Sequence, residues 1–289
     1  GLSVGGFNNY KEMCQNVLMP GVQHMRHTFL PEHKFIKGQP DTGAELADDL
    51  ELIANKFEGE IAACIVEPIA GSTGILVPPK GYLNKLRKIC DKHGILLIFD
   101  EVITGWGRTG SPFAAQEFNV TPDIMTLAKA TTNGVVPMGV VAVRDGIYDA
   151  VMDSAPEGAI ELFHGYTYSG IPAAVAAALA VQDIFEKENI FKKVKEISPY
   201  FQEALYSLRD LECVENIRGY GLLGGVDIKK KDKPGKAGFQ VYKTCYENGV
   251  NLKATADALV LAPPFISEKK HIDEIFDKIR KSINQYMKQ

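Results

Sequence analysis

Three short apolar runs constrain the fold of this chain more than any other feature of its sequence. Each has the length and composition of a strand that is buried on both faces of a sheet. Stretches with a helical spacing of apolar residues alternate with them, and this repetition predicts an α/β fold with a mostly parallel sheet and helices on both faces. The predicted strands are residues 61–66, 95–99 and 124–128, and the predicted helices are residues 44–57 and 81–93.

The pattern changes after about residue 187, where Lys and Glu become dense and the apolar runs become short. We therefore predict a partial large domain over residues 1–187 and a smaller C-terminal α+β domain over residues 188–289. Further elements are predicted from local patterns. They are strands at 138–143, 221–228 and 258–262, a helix at 173–186, a solvated hairpin loop at 229–236, and a last helix capped by Ser267.

Composition excludes several classes of function. The net charge of -4 and the pI near 5.9 provide no basic surface for nucleic acid. No apolar run is long enough for a membrane span, and no secretion signal is recognisable, so we expect no membrane partner. The five cysteines are widely spaced and odd in number, which favours a reducing, cytoplasmic location over a disulfide framework.

An ionisable residue ends each of the first three predicted strands. These residues are Glu67, Asp100 and Lys129. Because ligands bind outside the carboxyl ends of parallel strands, all three side chains are expected at one crevice. A lysine can form an imine with an aldehyde, and a carboxylate can keep a pyridine nitrogen protonated. This combination predicts a pyridoxal phosphate site, although a charged residue at a single strand end is usually only the first solvated position.

Two other patterns suggest different sites and are weaker. The stretch GWGRTG at 105–110 has the spacing G-x-G-x-x-G, but Val102 to Thr104 separate it from the strand and no suitable acid follows about 20 residues later. A nicotinamide dehydrogenase is therefore a distant alternative. His24 and His27 have an H-x-x-H spacing without a third ligand nearby, so we expect no metal site.

Four long segments resemble the class III aminotransferases. They read IVEPIAGSTGILVPPKGYL (65–83), IFDEVITGWGRTG (98–110), PDIMTLAKATTNGVVPMGVV (122–141) and HGYTYSG (164–170). The resemblance covers nearly the whole chain and is greatest to the ω-amino acid:pyruvate (β-alanine:pyruvate) branch. Branches that act on 4-aminobutyrate or ornithine more often have Gln at the position of Ile103. The resemblance implies a fold-type I, pyridoxal-phosphate-dependent transferase.

The resemblance also implies roles for individual residues. Lys129 matches the lysine that forms the Schiff base with the cofactor, and Asp100 matches the partner of the pyridine nitrogen. Val102 matches the residue on the ring face, and Glu67 matches a glutamate near the site. Thr167 matches a threonine that binds the cofactor phosphate of the neighbouring subunit, which implies a homodimer with shared sites. Structural alternatives are a core role for Val102, a turn for Thr167, and an ion pair between Asp100 and Lys129.

The sequence departs from the family pattern in three places. Family members carry an N-terminal portion with a Gly-Ser phosphate-binding loop and an aromatic residue that stacks on the ring, and neither is found in this sequence. We therefore expect the chain alone to bind pyridoxal phosphate weakly, since each charge-assisted hydrogen bond contributes roughly 1.5–3 kcal/mol. Lys253 stands where relatives usually have an arginine that binds the substrate carboxylate. Ile171 stands where the branch usually has His.

The expected function is transfer of an amino group from an amine or ω-amino acid to a keto acid such as pyruvate, with small molecules as the substrates. A catalytically impaired fragment or partner subunit is one alternative, because of the missing N-terminal portion. An aminomutase or a decarboxylase on the same fold is another, since fold and lysine do not separate these activities.

Overall fold

The computed structural model describes residues 1–230 and 233–288, and these residues contain two four-stranded sheets. The first sheet comes from the first half of the chain and has the order β1-β2-β3-β4. β1 pairs with β2 and β2 with β3 in parallel, whereas β4 is antiparallel to β3. The mostly parallel sheet is thus confirmed. Its strands are β1 (Ala63–Val66), β2 (Leu96–Asp100), β3 (Ile124–Leu127) and β4 (Val140–Val143).

Two helices cover one face of this sheet, and both follow from the apolar spacing of the sequence. They are α2 (Asp48–Lys56) and α3 (Tyr82–His93). Leu83, Leu86 and Cys90 of α3 recur every three or four residues and are buried against Leu97 of β2. Gly94 ends α3 with a φ of 65°, a left-handed conformation that glycine adopts without strain. The chain then turns directly into β2, whose carboxyl end reaches the candidate site.

The second sheet has the order β5-β6-β8-β7, with antiparallel pairing throughout. Three helices pack against it and share one apolar core, in which Phe201, Val226 and Ile279 are fully buried. The strands are β5 (Val214–Tyr220), β6 (Leu223–Ile228), β7 (Lys253–Thr255) and β8 (Ala258–Leu261), and the helices are α7 (Ile190–Ser207), α8 (Lys236–Glu247) and α9 (Lys269–Met287).

Three further helices lie in the first part of the chain or join the two sheets. The long α6 begins at Pro172, as its alanine-rich sequence predicts, and its Val181 and Phe185 belong to the second core. A proline at this first helical position loses no hydrogen bond. The three helices are α4 (Ala114–Glu117), α5 (Asp145–Asp153) and α6 (Pro172–Lys187), and a short α1 (Asn8–Met13) precedes them all.

Four local predictions need correction. The first turn of the predicted helix 44–57 is a 3₁₀ turn at Ala44–Ala47. The predicted strand 221–228 is shorter, because residues 221–222 form the turn of a hairpin whose first strand, β5, the sequence analysis missed. Glu268, not Ser267, caps α9, in a reciprocal capping box with His271. The predicted hairpin loop leads from β6 into α8, not into a strand; its residues Lys231 and Asp232 lie outside the described residues.

Two global features bear on the sequence-based expectations. The helices within residues 1–230 and 233–288 lack the length and apolar character that crossing a lipid bilayer requires. The five cysteines lie within the described residues and form no disulfide with one another, and four of them are buried.

Candidate functional site

The residues at the ends of the parallel strands meet at one edge of the first sheet. Glu67 directly follows β1, Asp100 is the last residue of β2, and Lys129 follows β3 after one intervening residue. The three strands are neighbours in the sheet and run in the same direction. The structure therefore brings together the three ionisable residues that the sequence analysis selected.

The neighbouring charges of the cluster affect the pKa of Glu67. Burial raises the pKa of Glu67, the backbone N–H of Gly71 opposes the rise, and the charge of Asp100 adds to it. The positive charges of Lys129 and Lys253 act in the opposite direction. The N–H of Gly71 donates to Oε2 at 2.9 Å. Glu67 is thus a half-buried carboxyl group on which the charges of the other candidate residues converge.

Asp100 presents its carboxylate at the carboxyl end of β2, and no cationic side chain among residues 1–230 and 233–288 forms an ion pair with it. Its Oδ1 accepts a hydrogen bond of 3.1 Å from the backbone N–H of Val102, which begins the turn after the strand. No ion pair joins Asp100 to Lys129 in the part of the chain that the structure describes. The alternative of a structural ion pair is therefore wrong for these residues. Val102 itself is half-buried.

The neighbouring Glu101 was missed by the sequence analysis and is fully buried. Its two carboxylate oxygens accept from the Thr104 hydroxyl at 2.8 Å and from the backbone N–H groups of Ala114 and Ala115 at 2.8 and 2.7 Å. Burial raises the pKa of Glu101, and these hydrogen bonds oppose the rise. Glu101 points away from the strand-end cluster and holds the loop after β2 against the start of α4.

Lys129 is exposed, and its backbone has a φ of 45° in a single 3₁₀ turn, Lys129–Thr131. A non-glycine residue in this left-handed region carries a strain of order 1–3 kcal/mol. Such conformations persist where the surrounding structure imposes them, and they are concentrated at functional sites.

Lys253 begins β7 in the second sheet and reaches back to the first part of the chain. Its Nζ donates to the hydroxyl of Ser72 at 2.9 Å. Ser72 belongs to the turn that follows Glu67, so this contact brings a cation from the C-terminal part of the chain to the strand-end cluster. The sequence analysis did not find the Ser72 contact, because 181 residues separate the two positions.

Thr167 lies apart from these residues within this chain. It belongs to an exposed segment between α5 and α6, in which Tyr166 and Tyr168 have positive φ values of 51° and 65°. Phe163 and Tyr168 of the same segment are 92% and 84% exposed. Thr167 is itself exposed, and no hydrogen bond joins it to Asp100 or Lys129 within the described residues.

A large open cleft of about 1440 Å³ borders the cluster. Glu67, Asp100 and Thr126 contribute to its wall, together with residues of the N-terminal 29 residues and of the second sheet; Lys129, Val102 and Lys253 do not line it. Asp100 lines this cleft, and Lys129 is exposed after the end of the neighbouring strand. A carboxylate and an amine are the two groups that the pyridine nitrogen and the aldehyde of pyridoxal phosphate require.

The competing motifs have structural roles in this fold. The glycines of GWGRTG do not open a helix: an added Cβ on Gly107 would lie 2.8 Å from the ring of Phe191 in α7, which leaves no space for a pyrophosphate. Arg108 is directed into the protein, where it donates to the carbonyl of Pro263 at 2.6 Å. His24 contacts the amine of Lys11. The described residues contain no group of three or more His, Cys, Asp or Glu side chains that could hold a metal ion.

Comparison with solved structures shows which class of protein has this fold. A transaminase solved with L-ala superposes with a TM-score of 0.92 at 28% identity, over 99% of this chain and 69% of that one. The omega transaminase from Pseudomonas jessenii, solved in complex with PMP, gives a TM-score of 0.92 at 29% identity, over 99% of this chain and 65% of that one. The fold is therefore that of the fold-type I transaminases.

Sequence comparison identifies the family. The family model described as Aminotransferase class-III matches residues 1–283, and the chain belongs to this family. It is 48% identical to an omega-aminotransferase of Caulobacter vibrioides and 42% identical to an omega-amino acid–pyruvate aminotransferase of Pseudomonas putida. Each alignment covers 99% of this chain and 65% of the relative, so the chain spans just under two thirds of the length of these relatives.

Proposed function

We propose that this chain carries the lysine and aspartate of a pyridoxal phosphate site, in an enzyme that moves an amino group from an amine or ω-amino acid to a keto acid such as pyruvate. The observation that carries the proposal is the strand-end cluster, in which the charges of Asp100, Lys129 and Lys253 all act on Glu67. The relatives indicate the reaction class: one of them, a beta-alanine–pyruvate aminotransferase of Pseudomonas aeruginosa, is 42% identical over 98% of this chain.

The roles of the residues follow from their chemistry. Bound pyridoxal phosphate would supply a protonated ring that withdraws electrons from the substrate carbon. Lys129 supplies the amine that holds the cofactor covalently, and the same amine, once free, moves a proton between carbon atoms. Asp100 keeps a proton on the pyridine nitrogen, and Val102 packs on the ring face.

One cation, one carboxyl group and one hydroxyl complete the proposed site. Lys253, anchored to Ser72, binds the substrate carboxylate as a point charge instead of through the two-pronged contact of an arginine. Glu67 lies within the field of both lysines and tunes the charge of the site. Thr167 binds the cofactor phosphate of a second copy of the chain, and its exposed segment with Phe163 and Tyr168 supports a homodimer.

The division into two domains and the cytoplasmic location are also part of the proposal. The division into domains at residues 187 and 188 is supported by two large apolar cores, of which one spans residues 46–120 and the other lies mostly after residue 187. Val181 and Phe185 of α6 also belong to the second core, and a small third cluster packs Ile69, Ile75 and Val77 against Leu223. A cytoplasmic location is supported by five cysteines that form no disulfide among the described residues.

The test compares the unaltered chain with Lys129→Ala and with Lys88→Ala, a matched exposed lysine on α3. Each is treated with saturating pyridoxal phosphate, reduced with borohydride and digested, and the peptides are weighed by mass spectrometry. We expect the cofactor mass on the peptide with residue 129 in the unaltered chain and in Lys88→Ala, and nowhere in Lys129→Ala. Formation of alanine from pyruvate with an ω-amino donor reports the reaction class. The proposal is wrong if Lys129→Ala still acquires the cofactor on another lysine to the same extent.

A further inference from the structure

A series of hydrogen bonds holds the turn that contains Lys129, and it begins at a tryptophan 25 residues before Thr131 in the sequence. The indole Nε1–H of Trp106 donates to the Thr131 hydroxyl at 2.9 Å. That hydroxyl donates in turn to the carbonyl of Ala128 at 3.0 Å, and the backbone N–H of Thr131 donates to the same carbonyl at 3.0 Å. The carbonyl of Ala128 belongs to the peptide group between Ala128 and Lys129. These hydrogen bonds therefore fix the orientation of that peptide group.

The tryptophan is itself fixed by packing. Its ring lies edge-on to Phe113, with ring centres 5.3 Å apart, and it also contacts Phe185 of α6, with ring centres 6.2 Å apart. Trp106 packs against the second core, and Thr131 is 3% exposed. The donor therefore approaches Thr131 from a rigid surface, and the Thr131 hydroxyl has one donor and one acceptor in a site closed to water.

Lys129 needs such support because its φ of 45° is unfavourable for a side chain with a Cβ. If the turn relaxed to an ordinary φ, the direction of the Lys129 side chain would change relative to Asp100. The contact between Trp106 and the lysine turn spans 25 residues of sequence, and it is the link between the GWGRTG loop and the end of β3.

We propose that Trp106 and Thr131 are positioning residues that hold the Lys129 turn in its left-handed conformation and so aim the amine at the cofactor. This inference deepens the proposed function and rests on it for the role of the amine. Neither residue touches the reacting atoms; both act through the peptide group between Ala128 and Lys129.

A purely structural role for the tryptophan ring is the competing explanation, and the variants are chosen to separate the two. Trp106→Phe keeps an aromatic ring against Phe113 and Phe185 but loses the N–H donor. Thr131→Val keeps the shape of the side chain but loses the hydroxyl, and Thr131→Ser restores it. The matched control is Thr109→Val. Thr109 lies in the same loop as Trp106 and is buried, as Thr131 is, but its hydroxyl has no hydrogen-bond partner among the described residues.

The first measurement is amide hydrogen exchange of the cofactor-free 289-residue chain, followed by mass spectrometry of peptides that cover residues 128–136. Loss of one net hydrogen bond predicts about three- to tenfold faster exchange in Trp106→Phe and in Thr131→Val. The double variant Trp106→Phe/Thr131→Val should exchange little faster than either single variant, since both substitutions break the same series of hydrogen bonds. Thr131→Ser and Thr109→Val should match the unaltered chain. Equal exchange in all variants, or an equal increase in Thr109→Val, would overturn the inference.

The second measurement is steady-state transamination with pyruvate as the acceptor. A misdirected amine slows proton transfer, so kcat should fall about tenfold in Trp106→Phe and Thr131→Val while the KM for pyruvate stays within about twofold. A rise in KM at constant kcat would contradict positioning. The experiments distinguish failure of the proposed function from failure of the positioning role. Absence of cofactor on Lys129 in the unaltered chain refutes the proposed function, whereas the exchange data decide the positioning role without any cofactor.

Discussion

At the scale of single residues, Glu67 is the carboxyl group that the fold perturbs most directly at the candidate site. Burial is the largest cause of its raised pKa, and the charge of Asp100 acts in the same direction. A raised pKa means that the folded chain holds the Glu67 proton more tightly than the unfolded chain. Between the unfolded pKa, about 4.3, and the higher folded pKa, the native state therefore binds more protons. The contribution of Glu67 to stability is present below this window and is lost as the pH rises through it.

Replacement of Glu67 by Gln should remove this loss, because the amide stays neutral and keeps an oxygen for the N–H of Gly71. We expect the unfolding free energy of Glu67→Gln, relative to the unaltered chain, to rise with pH from about 4.3 and then to level off. The height of the plateau is about 1.4 kcal/mol for each unit by which folding raises the pKa of Glu67. Urea unfolding between pH 4 and 8 measures it.

The control for this experiment is Glu58→Gln, which changes an exposed glutamate in the loop before β1. Its stability should run parallel to that of the unaltered chain at every pH. Parallel curves for Glu67→Gln as well would show that the environment of Glu67 does not favour its protonated form.

At the scale of elements, the candidate site depends on a close contact between the hairpin β5–β6 and the turn after β1. Arg218 of β5 holds the carbonyl of Gly74 through Nε at 3.0 Å and Nη2 at 2.8 Å, and Asp227 of β6 pairs with the same guanidinium. Gly225 lies directly under this carbonyl: an added Cβ would be 2.3 Å from the Gly74 oxygen. Only glycine leaves room for the turn that carries Ser72 to pack on the second sheet.

Gly225→Ala should therefore lower the unfolding free energy by about 2–3 kcal/mol, because the obstacle is backbone and cannot rotate away. The matched glycine is Gly146 in α5, where nothing lies within 4 Å of an added Cβ and φ is not positive. Gly146→Ala should leave stability unchanged or raise it by up to about 1 kcal/mol. Denaturant unfolding of both variants at one pH measures the difference. Equal stabilities would show that the two sheets do not depend on this contact.

At the scale of the whole molecule, exposed large apolar side chains are most frequent in two segments, residues 2–19 and the stretch from α5 to the middle of α6. Between α5 and the middle of α6, large apolar residues face solvent, and Phe163, Tyr168 and Leu179 are more than half exposed. A single chain rarely exposes a contiguous surface of this kind unless a partner covers it. Thr167 lies within it, so a second copy that covers this surface would receive the threonine hydroxyl, as the proposed shared site requires.

Phe163→Glu should weaken association of the chain at least about 30-fold, since a hot-spot aromatic residue at the centre of an interface contributes about 2 kcal/mol or more. Phe239→Glu is the matched control, because Phe239 is 60% exposed on α8, in another part of the chain. Sedimentation velocity over a range of concentrations measures both. A monomeric unaltered chain, or equal weakening by the two substitutions, would contradict the proposed dimer surface.

Local sequence determined the parts of this protein in which neighbouring residues fix one another. The buried strands and α3 follow from apolar periodicity, and the carboxyl ends of β1 to β3 meet because parallel strands connected by helices must point the same way. Glu67, Asp100 and Lys129 could therefore be selected as candidates from the sequence. Their roles in the reaction came from the family resemblance and remain proposals.

Tertiary structure alone decided what joins distant segments. The antiparallel direction of β4, the pairing of β6 with β8, and the contacts of Lys253 with Ser72 and of Trp106 with Thr131 link residues that no local pattern relates. Such contacts form only when whole elements pack, because the hydrogen-bonding groups of a serine or an indole can be satisfied by many partners, and the backbone selects among them. The sequence placed a lysine at the end of a strand; the folded chain determined the conformation in which that lysine is held.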